Sequence, residues 1–342
     1  MKAREHKDGI IDLSIGTPVD DVPKVIQDAL AKHSNAPGYP TAAGIVELRK
    51  AWINWTKTVA DVDLTADQVV PTLGSKEMVA WLPIIFGLAK GSTVAIPELA
   101  YPTYAVGAMM AHANVVTYVT AEDIGDSVDL IWVNTPSNPT GQVLGVDELK
   151  AIVSRGRKIG APIVSDECYI ELGWNATPIS ILDRKVNDSD LTGLLAVHSL
   201  SKRSNLAGYR SGAVVGDLKL INDITSLRKH AGMLMPTPVQ HATIAALGDV
   251  AHVKEQKAKY GQRRDLLHTG LTAAGFEISH SEAGLYLWAT RGEDCFATVN
   301  WLADRGVLVA PGDFYGAAGA KHVRVAMTAT DERIGQFASR LA

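Results

Sequence analysis

AVHSLSK, residues 196–202, joins a short apolar run to two serines and one lysine, and GYRSG follows at residues 208–212. The apolar residues predict a buried strand, and the serines predict its end. In α/β proteins ligands bind where the parallel strands end. This stretch therefore predicts a strand that leads into a ligand site around Lys202.

Strands and helices are predicted to alternate from about residue 69 onward, because short β-branched runs there are separated by longer helical stretches. This order is typical of βα units and a mostly parallel sheet. The predicted strands lie at residues 94–96, 130–133, 162–165 and 194–197, and the predicted helices at 103–112, 146–158 and 218–231. The expected fold class is therefore α/β.

The last third of the chain has a different pattern. A helical stretch over residues 240–274 is followed by predicted strands at 276–278, 284–288 and 322–326, with turn signals between them. This order indicates a smaller α+β unit. We expect a large domain over residues 36–238 and a small domain built from residues 1–35 and 239–342.

Composition limits the classes of function. The chain has 342 residues and a formal net charge of -4, which argues against a general nucleic-acid binder. Its two cysteines cannot form a disulfide framework, and it opens on no signal-peptide pattern. The apolar runs are too short to span a bilayer. We therefore expect a cytoplasmic protein that binds small molecules and no membrane or nucleic acid.

Three side chains in the opening stretch have the chemistry that pyridoxal 5'-phosphate requires. The aldehyde of this cofactor forms a Schiff base with a lysine amine, which Lys202 supplies. Its phosphate needs a guanidinium and hydroxyl donors, which Arg210 and Ser199 supply. The same short pattern also occurs in surface loops, so the interpretation depends on the rest of the chain.

Further polar residues follow two other predicted strands. Asn138 lies in TPSNPTG, residues 135–141, where two prolines restrict the backbone. Asp166 follows the strand at 162–165, and Tyr169 comes three residues later. The alternatives are a plain connecting loop for Asn138 and a helix cap for Asp166. A carboxylate beside the pyridine nitrogen would keep that nitrogen protonated and make the cofactor ring an electron sink.

The order of these residues resembles that of the class I/II aminotransferases of pyridoxal-phosphate fold type I, across nearly the whole chain. The successive intervals are 28, 36 and 8 residues between Asn138, Asp166, Lys202 and Arg210. The resemblance implies that Lys202 bonds the cofactor and moves the proton of the 1,3-shift. It also implies that Asp166 pairs with the pyridinium nitrogen.

The rest of the cofactor site follows from the same resemblance. Asn138 and Tyr169 are implied to bond the phenolic oxygen of the cofactor, and Arg210 with Ser199 to hold its phosphate. A helix N-terminus that meets the phosphate and an aromatic ring that stacks on the pyridine are also implied. These residues are Ser75 and Lys76, in LGSKE at 73–77, and Tyr101, in PELAYP at 97–102. For Lys76 the backbone amide is the more certain contact, and for Tyr101 the alternative is a packed core tyrosine.

Assembly is implied by one tyrosine near the N-terminus. Tyr39, in GYPTAAG at residues 38–44, resembles the family's tyrosine that reaches the phosphate of the neighbouring subunit. The resemblance therefore implies a homodimer with shared active sites.

Substrate contacts are implied for three residues. Arg324 lies in a Val-Arg-Val alternation, where a lone arginine normally points to solvent. The resemblance implies instead that it clamps the substrate α-carboxylate, a bidentate task that suits a guanidinium, with Asn138 beside it. The backbone of Gly16, in LSIGTP at residues 13–18, is implied to lie against the same carboxylate. Family members usually carry more residues before this turn, so either the arm is short or the start is truncated.

Longer segments resemble one subfamily, the succinyldiaminopimelate aminotransferases of bacterial lysine biosynthesis. These segments are residues 97–104, 196–202, 228–233, 281–288 and 310–316. The resemblance implies a ping-pong transfer of an amino group between glutamate and N-succinyl-2-amino-6-oxopimelate. The products are 2-oxoglutarate and N-succinyl-LL-2,6-diaminopimelate. Both substrates carry a second carboxylate, whose partner the sequence does not identify.

Two alternatives remain open at this stage. The first is an aminotransferase of the same fold for aspartate or another amino acid, because the cofactor residues are shared by enzymes of many specificities. The second is a non-catalytic sensor module that binds the cofactor and carries an attached DNA-binding domain, for which the residues before Gly16 leave no room. An NAD-binding protein is disfavoured because no G-x-G-x-x-G follows a strand. No metal site is expected.

Overall fold

The computed structural model describes residues 2–342. Its strands are β1 Ile11–Asp12, β2 Val69–Leu73, β3 Thr93–Pro97, β4 Asn114–Tyr118, β5 Leu130–Asn134, β6 Ile163–Asp166, β7 Leu194–Ser199, β8 Ser211–Gly216, β9 Glu277–Ser279, β10 Tyr286–Thr290, β11 Val307–Leu308, β12 Ala310–Pro311 and β13 His322–Ala326.

The α-helices are α1 Lys24–Lys32, α2 Val46–Ala60, α3 Ser75–Ile85, α4 Thr103–Met110, α5 Val146–Ile159, α6 Arg184–Asn187, α7 Leu200–Arg203, α8 Leu218–Ala231, α9 Thr237–Gly248, α10 Ala251–Ala273, α11 Cys295–Ala303, α12 Asp331–Gly335 and α13 Phe337–Leu341. Short 3-10 turns lie at Lys2–Glu5, Ala66–Gln68, Ala121–Asp123, Ala207–Tyr209, Gly312–Tyr315 and Ala317–Gly319.

A seven-stranded sheet forms the centre of the protein, with the strand order β2-β8-β7-β6-β5-β3-β4. β8 runs antiparallel to both of its neighbours, and the strands from β7 to β4 are parallel. The parallel arrangement puts the ends of β5, β6 and β7 at one edge of the sheet. The α/β fold class predicted from the sequence is therefore confirmed.

Both faces of this sheet are covered by helices. Ile131 and Val133 of β5 pack in a cluster with α2, α5 and α9, whereas Leu130 and Trp132 pack in a second cluster with α3, α4 and α8. Successive residues of a strand point to opposite faces, so an unbroken apolar run is the pattern of a strand buried on both sides. This burial fixes the register of the strands. Because the strand interiors are apolar, the polar residues lie at the strand ends.

A smaller four-stranded antiparallel sheet has the order β12-β13-β10-β9, and β1 pairs with β11 nearby. Leu287 of β10 and Val325 of β13 are fully buried in a separate cluster with α10, α11 and α13. The α+β unit predicted for the last third of the chain therefore has its own core.

The predicted helical stretch over residues 240–274 is two helices, α9 and α10. Its break lies at Asp249, whose carboxylate accepts a hydrogen bond from the Ala251 amide at 2.9 Å and so caps the second helix. Ile26 of α1 and Ala242 of α9 belong to the larger cluster. The domain boundaries at residues 35 and 239 stay a prediction, and we propose from this packing that the division lies nearer to residues 23 and 249.

The α10 helix fastens the N-terminal segment that precedes α1. Arg263 of α10 is 2% exposed and donates to both carboxylate oxygens of Asp20, at 2.7 and 2.6 Å. Gln256, two turns earlier on α10, donates to the same carboxylate at 2.8 Å. A buried bidentate pair with a further donor is a strong constraint on a short segment. The segment that carries Gly16 is thereby held over the sheet edge.

None of the helices within residues 2–342 combines the length and the apolar character that crossing a membrane requires.

Candidate active site

A cavity of about 830 Å³ lies at the carboxyl ends of the parallel strands, between the large sheet and the smaller one. All of the predicted site residues except Tyr39 line it: Gly16, Ser75, Lys76, Tyr101, Asn138, Asp166, Tyr169, Ser199, Lys202, Arg210 and Arg324. The topology explains this convergence, because each of the large-sheet residues lies at or near the end of a strand.

Lys202 enters the cavity from α7, the single helical turn that follows β7. Ser199 caps this turn, since its hydroxyl accepts a hydrogen bond from the Ser201 amide at 3.2 Å. The Lys202 ammonium donates to the carbonyl oxygen of Gly16. The amine therefore lies between the end of the large sheet and the N-terminal turn.

Asp166, 6% exposed, ends β6 with a carboxylate that is held by two donors. The Tyr104 hydroxyl donates to one oxygen at 3.0 Å, and the Cys168 amide donates to the other at 3.3 Å. Burial raises the pKa of Asp166 above its ordinary value, and hydrogen bonds from Cys168 and Tyr104 oppose this effect. A buried carboxylate of this kind favours a positively charged partner in the cavity.

The loop that carries Asn138 is held by a neighbouring amide. The side chain of Asn134, at the end of β5, donates to the Asp166 carbonyl at 2.9 Å and accepts from the Asn138 amide at 2.8 Å. β5 and β6 are adjacent and in register at this point, where Asn134 pairs with Asp166. Asn134 thus couples two of the predicted site residues, and the sequence-based prediction had not included it.

An anion-binding corner lies where β2 leads into α3. Gly74 precedes the helix with φ 73, and a Cβ there would lie 2.5 Å from the Arg210 guanidinium. Glycine therefore permits Arg210 to lie across the helix N-terminus, near Ser75 and Lys76. Free backbone amides, a hydroxyl and a guanidinium at one corner are the donor set that a phosphate requires.

Tyr169 lines the cavity after β6. It is 6% exposed, and its hydroxyl lies 3.0 Å from that of Tyr286. Burial raises the pKa of Tyr169 well above its ordinary value. At neutral pH the side chain is therefore a neutral phenol that can donate a hydrogen bond.

Arg324 is 6% exposed, in contrast to the solvent-facing arginine that a Val-Arg-Val alternation usually indicates. It donates to the Asn138 side-chain oxygen at 2.8 Å and to the Ser14 carbonyl at 2.7 Å. Its guanidinium carbon lies 4.0 Å from the ring centroid of Tyr286 and 4.9 Å from that of Tyr315. These contacts aim a rigid planar cation at the cavity, which suits a carboxylate ligand.

Tyr39 lies outside this cavity, with its side chain 99% exposed in the single chain. The predicted contact with a neighbouring subunit's phosphate stays a prediction.

Tyr104 and Tyr286 were not among the predicted site residues. Tyr104 is fully buried and stacks on Trp132, so in sequence it has the character of a core aromatic. The only sequence feature that suggests a site role for Tyr104 is its position three residues after Tyr101. Tyr286 lies in the GLYLW run of β10, which predicts a strand and gives no sign that its hydroxyl meets Tyr169.

The residues of the cavity fit pyridoxal 5'-phosphate. Donors gather at the anion-binding corner for the phosphate, and the acceptor-only carboxylate of Asp166 lies deeper, where a protonated ring nitrogen would need it. Lys202 and the phenol of Tyr169 complete the set that the aldehyde and the phenolic oxygen require. When bound, the cofactor supplies a ring that takes up the electron pair left at the substrate Cα.

Comparisons with known proteins agree with this geometry. The family model for aminotransferase class I and II matches residues 8–341. A probable aminotransferase of Mycobacterium tuberculosis is 54% identical over 341 residues, which cover 99% of this chain and 82% of the relative. The 4-dedimethylamino-4-oxo-anhydrotetracycline transaminase OxyQ of Streptomyces rimosus is 51% identical over 341 residues, 99% of this chain and 95% of that protein.

A solved structure of an aminotransferase from Staphylococcus aureus has the same fold, with a TM-score of 0.89 at 25% identity over 97% of this chain and 93% of that chain. The chain therefore belongs to the class I and II aminotransferases of fold type I, which depend on pyridoxal 5'-phosphate.

Proposed function

We propose that this aminotransferase moves an amino group between glutamate and N-succinyl-2-amino-6-oxopimelate, by a ping-pong mechanism. The products are 2-oxoglutarate and N-succinyl-LL-2,6-diaminopimelate. The segments at residues 97–104, 196–202, 228–233, 281–288 and 310–316, which resemble succinyldiaminopimelate aminotransferases, support this choice.

The chemical roles follow from the positions of the side chains. We propose that Nζ of Lys202 takes the proton from the substrate Cα and returns it to the cofactor side. Asp166 keeps the ring nitrogen protonated, and Tyr169 donates to the phenolic oxygen. Arg324, with Asn138 fixing one edge of its guanidinium, binds the α-carboxylate and so orients the Cα–H bond toward Lys202.

The substrate proposal depends on the basic side chains that line the cavity. These are Lys76, Lys202, Arg210 and Arg324. Lys202 and Arg210 are committed to the cofactor in our proposal, and Arg324 to the α-carboxylate. Lys76 remains. Its ammonium lies 6.0 Å from the ring centroid of Tyr101 and forms no hydrogen bond or ion pair with residues 2–342. A free cation at the cavity wall suits the second carboxylate of a dicarboxylic substrate, while its backbone amide remains available to the phosphate.

Replacement of Lys76 by methionine tests this role. We expect KM for glutamate and 2-oxoglutarate to rise by about tenfold, because a hydrogen bond to a charged group is lost. KM for alanine and pyruvate, which lack the second carboxylate, should stay unchanged. Steady-state kinetics with both substrate pairs measure the difference, and Lys90→Met, at an exposed turn, is the control. An equal rise in KM for both substrate pairs, or weaker cofactor binding, would indicate instead that the Lys76 ammonium binds the cofactor phosphate.

A panel of keto acids tests the substrate itself. With glutamate as donor, the highest kcat/KM is expected for N-succinyl-2-amino-6-oxopimelate. The panel includes oxaloacetate, pyruvate and a hydrophobic keto acid. A higher value for oxaloacetate would favour the aspartate-specific alternative.

A second candidate is amino transfer to a polycyclic ketone, which the similarity to OxyQ favours. Adding 4-dedimethylamino-4-oxo-anhydrotetracycline to the same panel tests it. The test follows the ketone half-reaction alone, with enzyme that already carries the amino group, because glutamate itself needs Arg324. A ketone half-reaction that survives Arg324→Ala would support this candidate, because that substrate would not depend on a carboxylate clamp.

We also propose that the protein is a homodimer with shared active sites. Tyr39 is almost fully exposed in the single chain, and α4 presents Val106, Met109 and Met110 at 41%, 65% and 37% exposure. An apolar helix face beside an active site is a common interface feature. We propose that a second copy of the chain covers this face and that its Tyr39 reaches the anion-binding corner.

Mixing two inactive variants tests the shared site. Lys202→Ala subunits and Tyr39→Phe subunits are combined under conditions of subunit exchange. If Tyr39 serves the partner, one site of each mixed dimer has both defects and the other has none, so activity should reappear. Each variant mixed with itself is the control. Absence of recovery, despite exchange demonstrated with labelled subunits, would assign Tyr39 to its own chain.

A further inference from the structure

Tyr286 contacts three residues of the proposed active site, each from a different part of the chain. It begins β10, is 3% exposed, and lines the cavity. Its neighbours are Tyr169 after β6, Arg324 on β13 and Gly16 after β1.

The register of the smaller sheet places the Tyr286 ring beneath the arginine. Trp288 of β10 lies opposite Arg324 of β13, and Tyr286 lies two residues earlier on the same face. Diagonal neighbours on one face are within reach of long side chains. The guanidinium carbon of Arg324 accordingly lies 4.0 Å from the Tyr286 ring centroid, in the geometry of a cation–π contact. The ring therefore supports one face of the cation.

The hydroxyl group of Tyr286 lies 3.0 Å from that of Tyr169. A phenol has one proton to donate. If Tyr169 donates its proton to an anionic oxygen in the cavity, it must accept at its own oxygen, and Tyr286 is the group placed to donate there. The Tyr286 hydroxyl then donates to the Tyr169 oxygen, and the Tyr169 hydroxyl donates into the cavity.

The hydroxyl also fills the space beside Gly16. A Cβ at residue 16 would lie 2.1 Å from the Tyr286 hydroxyl oxygen, so glycine is what allows the phenol to reach Tyr169. The backbone of the N-terminal turn and the phenol are thus fitted to each other.

We propose that Tyr286 is a positioning residue whose hydroxyl and ring have separate roles. This proposal rests on the functions proposed above for Tyr169 and Arg324. Its hydroxyl fixes the direction in which Tyr169 donates toward the cofactor. Its ring holds the Arg324 guanidinium at the angle that the substrate α-carboxylate requires.

Two substitutions separate these parts. Tyr286→Phe keeps the ring and removes the hydroxyl, whereas Tyr286→Leu removes both. Tyr118→Phe is the matched control, because it removes a buried phenol that donates to the Trp132 carbonyl at 2.7 Å, outside the cavity. Thermal unfolding and circular dichroism verify folding, and Tyr286→Met replaces the leucine variant if that one does not fold.

The first measurement is the pH titration of the visible absorption of the purified holoenzyme. A weaker donor to the phenolic oxygen disfavours the more anionic form of the bound cofactor. For Tyr286→Phe the midpoint should therefore move upward by about half a pH unit. For Tyr118→Phe it should not move. An unchanged midpoint in Tyr286→Phe would overturn the role of the hydroxyl.

The second measurement is the KM for 2-oxoglutarate. Tyr286→Phe should leave this KM close to the wild-type value. Tyr286→Leu should raise it by about tenfold, because the cation–π contact that supports Arg324 is lost. Equal KM values in the two variants would overturn the role of the ring. If the wild-type enzyme used none of the proposed substrates, the function proposed above would fail, whereas the absorption titration would still decide the role of the hydroxyl.

Discussion

Replacement of Lys202 by alanine is expected to lower kcat by about 10⁴-fold, because the substitution removes both the covalent attachment and the base that moves the proton. The wild-type holoenzyme should be yellow, and borohydride should fix the cofactor to the peptide that contains Lys202. Mass spectrometry of that peptide and steady-state kinetics are the measurements. The cofactor should still bind to the variant, since the anion-binding corner is intact.

Lys185→Ala, an exposed lysine on α6, is the control for Lys202→Ala. A variant lacking Lys202 that turned over at the wild-type rate would show that another amine carries the cofactor. Retained cofactor binding alone would not show this, because Arg210 and the N-terminus of α3 can still hold the cofactor phosphate.

Asp166→Asn is expected to fold, to bind the cofactor and to slow the proton-abstraction step by about 10³-fold, a loss typical for removal of one preorganised charge-stabilising group. The amide keeps the shape, its oxygen can accept from the Cys168 amide, and its NH2 group can donate to the Tyr104 hydroxyl oxygen, but it cannot stabilise a protonated ring nitrogen. Stopped-flow measurement of the half-reaction with glutamate isolates this step.

Glu167→Gln is a close control for Asp166→Asn. Glu167 is the next residue, is 1% exposed, and accepts from the Ile181 amide at 2.9 Å, outside the cavity. Burial raises the pKa of Glu167 to about 7, so a neutral amide is a mild change there. Its half-reaction rate should stay near that of the wild type. If Asp166→Asn also reacted at a near-normal rate, the role of Asp166 would be limited to holding the turn at Cys168.

The sequence predicted four of the seven strands of the large sheet, β3, β5, β6 and β7, because strands that are buried on both faces appear as unbroken apolar runs, whereas β2, β4 and β8 were not predicted. The runs at residues 130–133 and 194–197 lie within β5 and β7, and the helix at 218–231 has the predicted bounds. The break between α9 and α10 was not predicted, because the only signal was a Gly-Asp pair within an otherwise helical stretch.

Residues that lie at strand ends were predictable, and those that act through long-range contacts were not. Asp166 and Lys202 follow apolar runs, so their position was visible in the chain. Asn138, like these two, follows a predicted strand, and Arg324 was predicted by resemblance alone, because alternation along β13 does not reveal which face is buried. The hydrogen bond between them joins residues 186 positions apart and was not predicted. Tyr104 and Tyr286 have the sequence character of core aromatics, and only the fold brings their hydroxyls to Asp166 and Tyr169.

The cavity is assembled from two sources, and this division has an evolutionary consequence. Asn138, Asp166 and Lys202 lie at or just after the ends of large-sheet strands, whereas Tyr286 and Arg324 lie on strands of the smaller sheet and Gly16 lies in the N-terminal turn. Substitutions on β13 around Arg324 can therefore alter substrate preference while Lys202 and Asp166 keep their positions. Selectivity can therefore evolve through changes in the smaller sheet, which is also the place to redesign it.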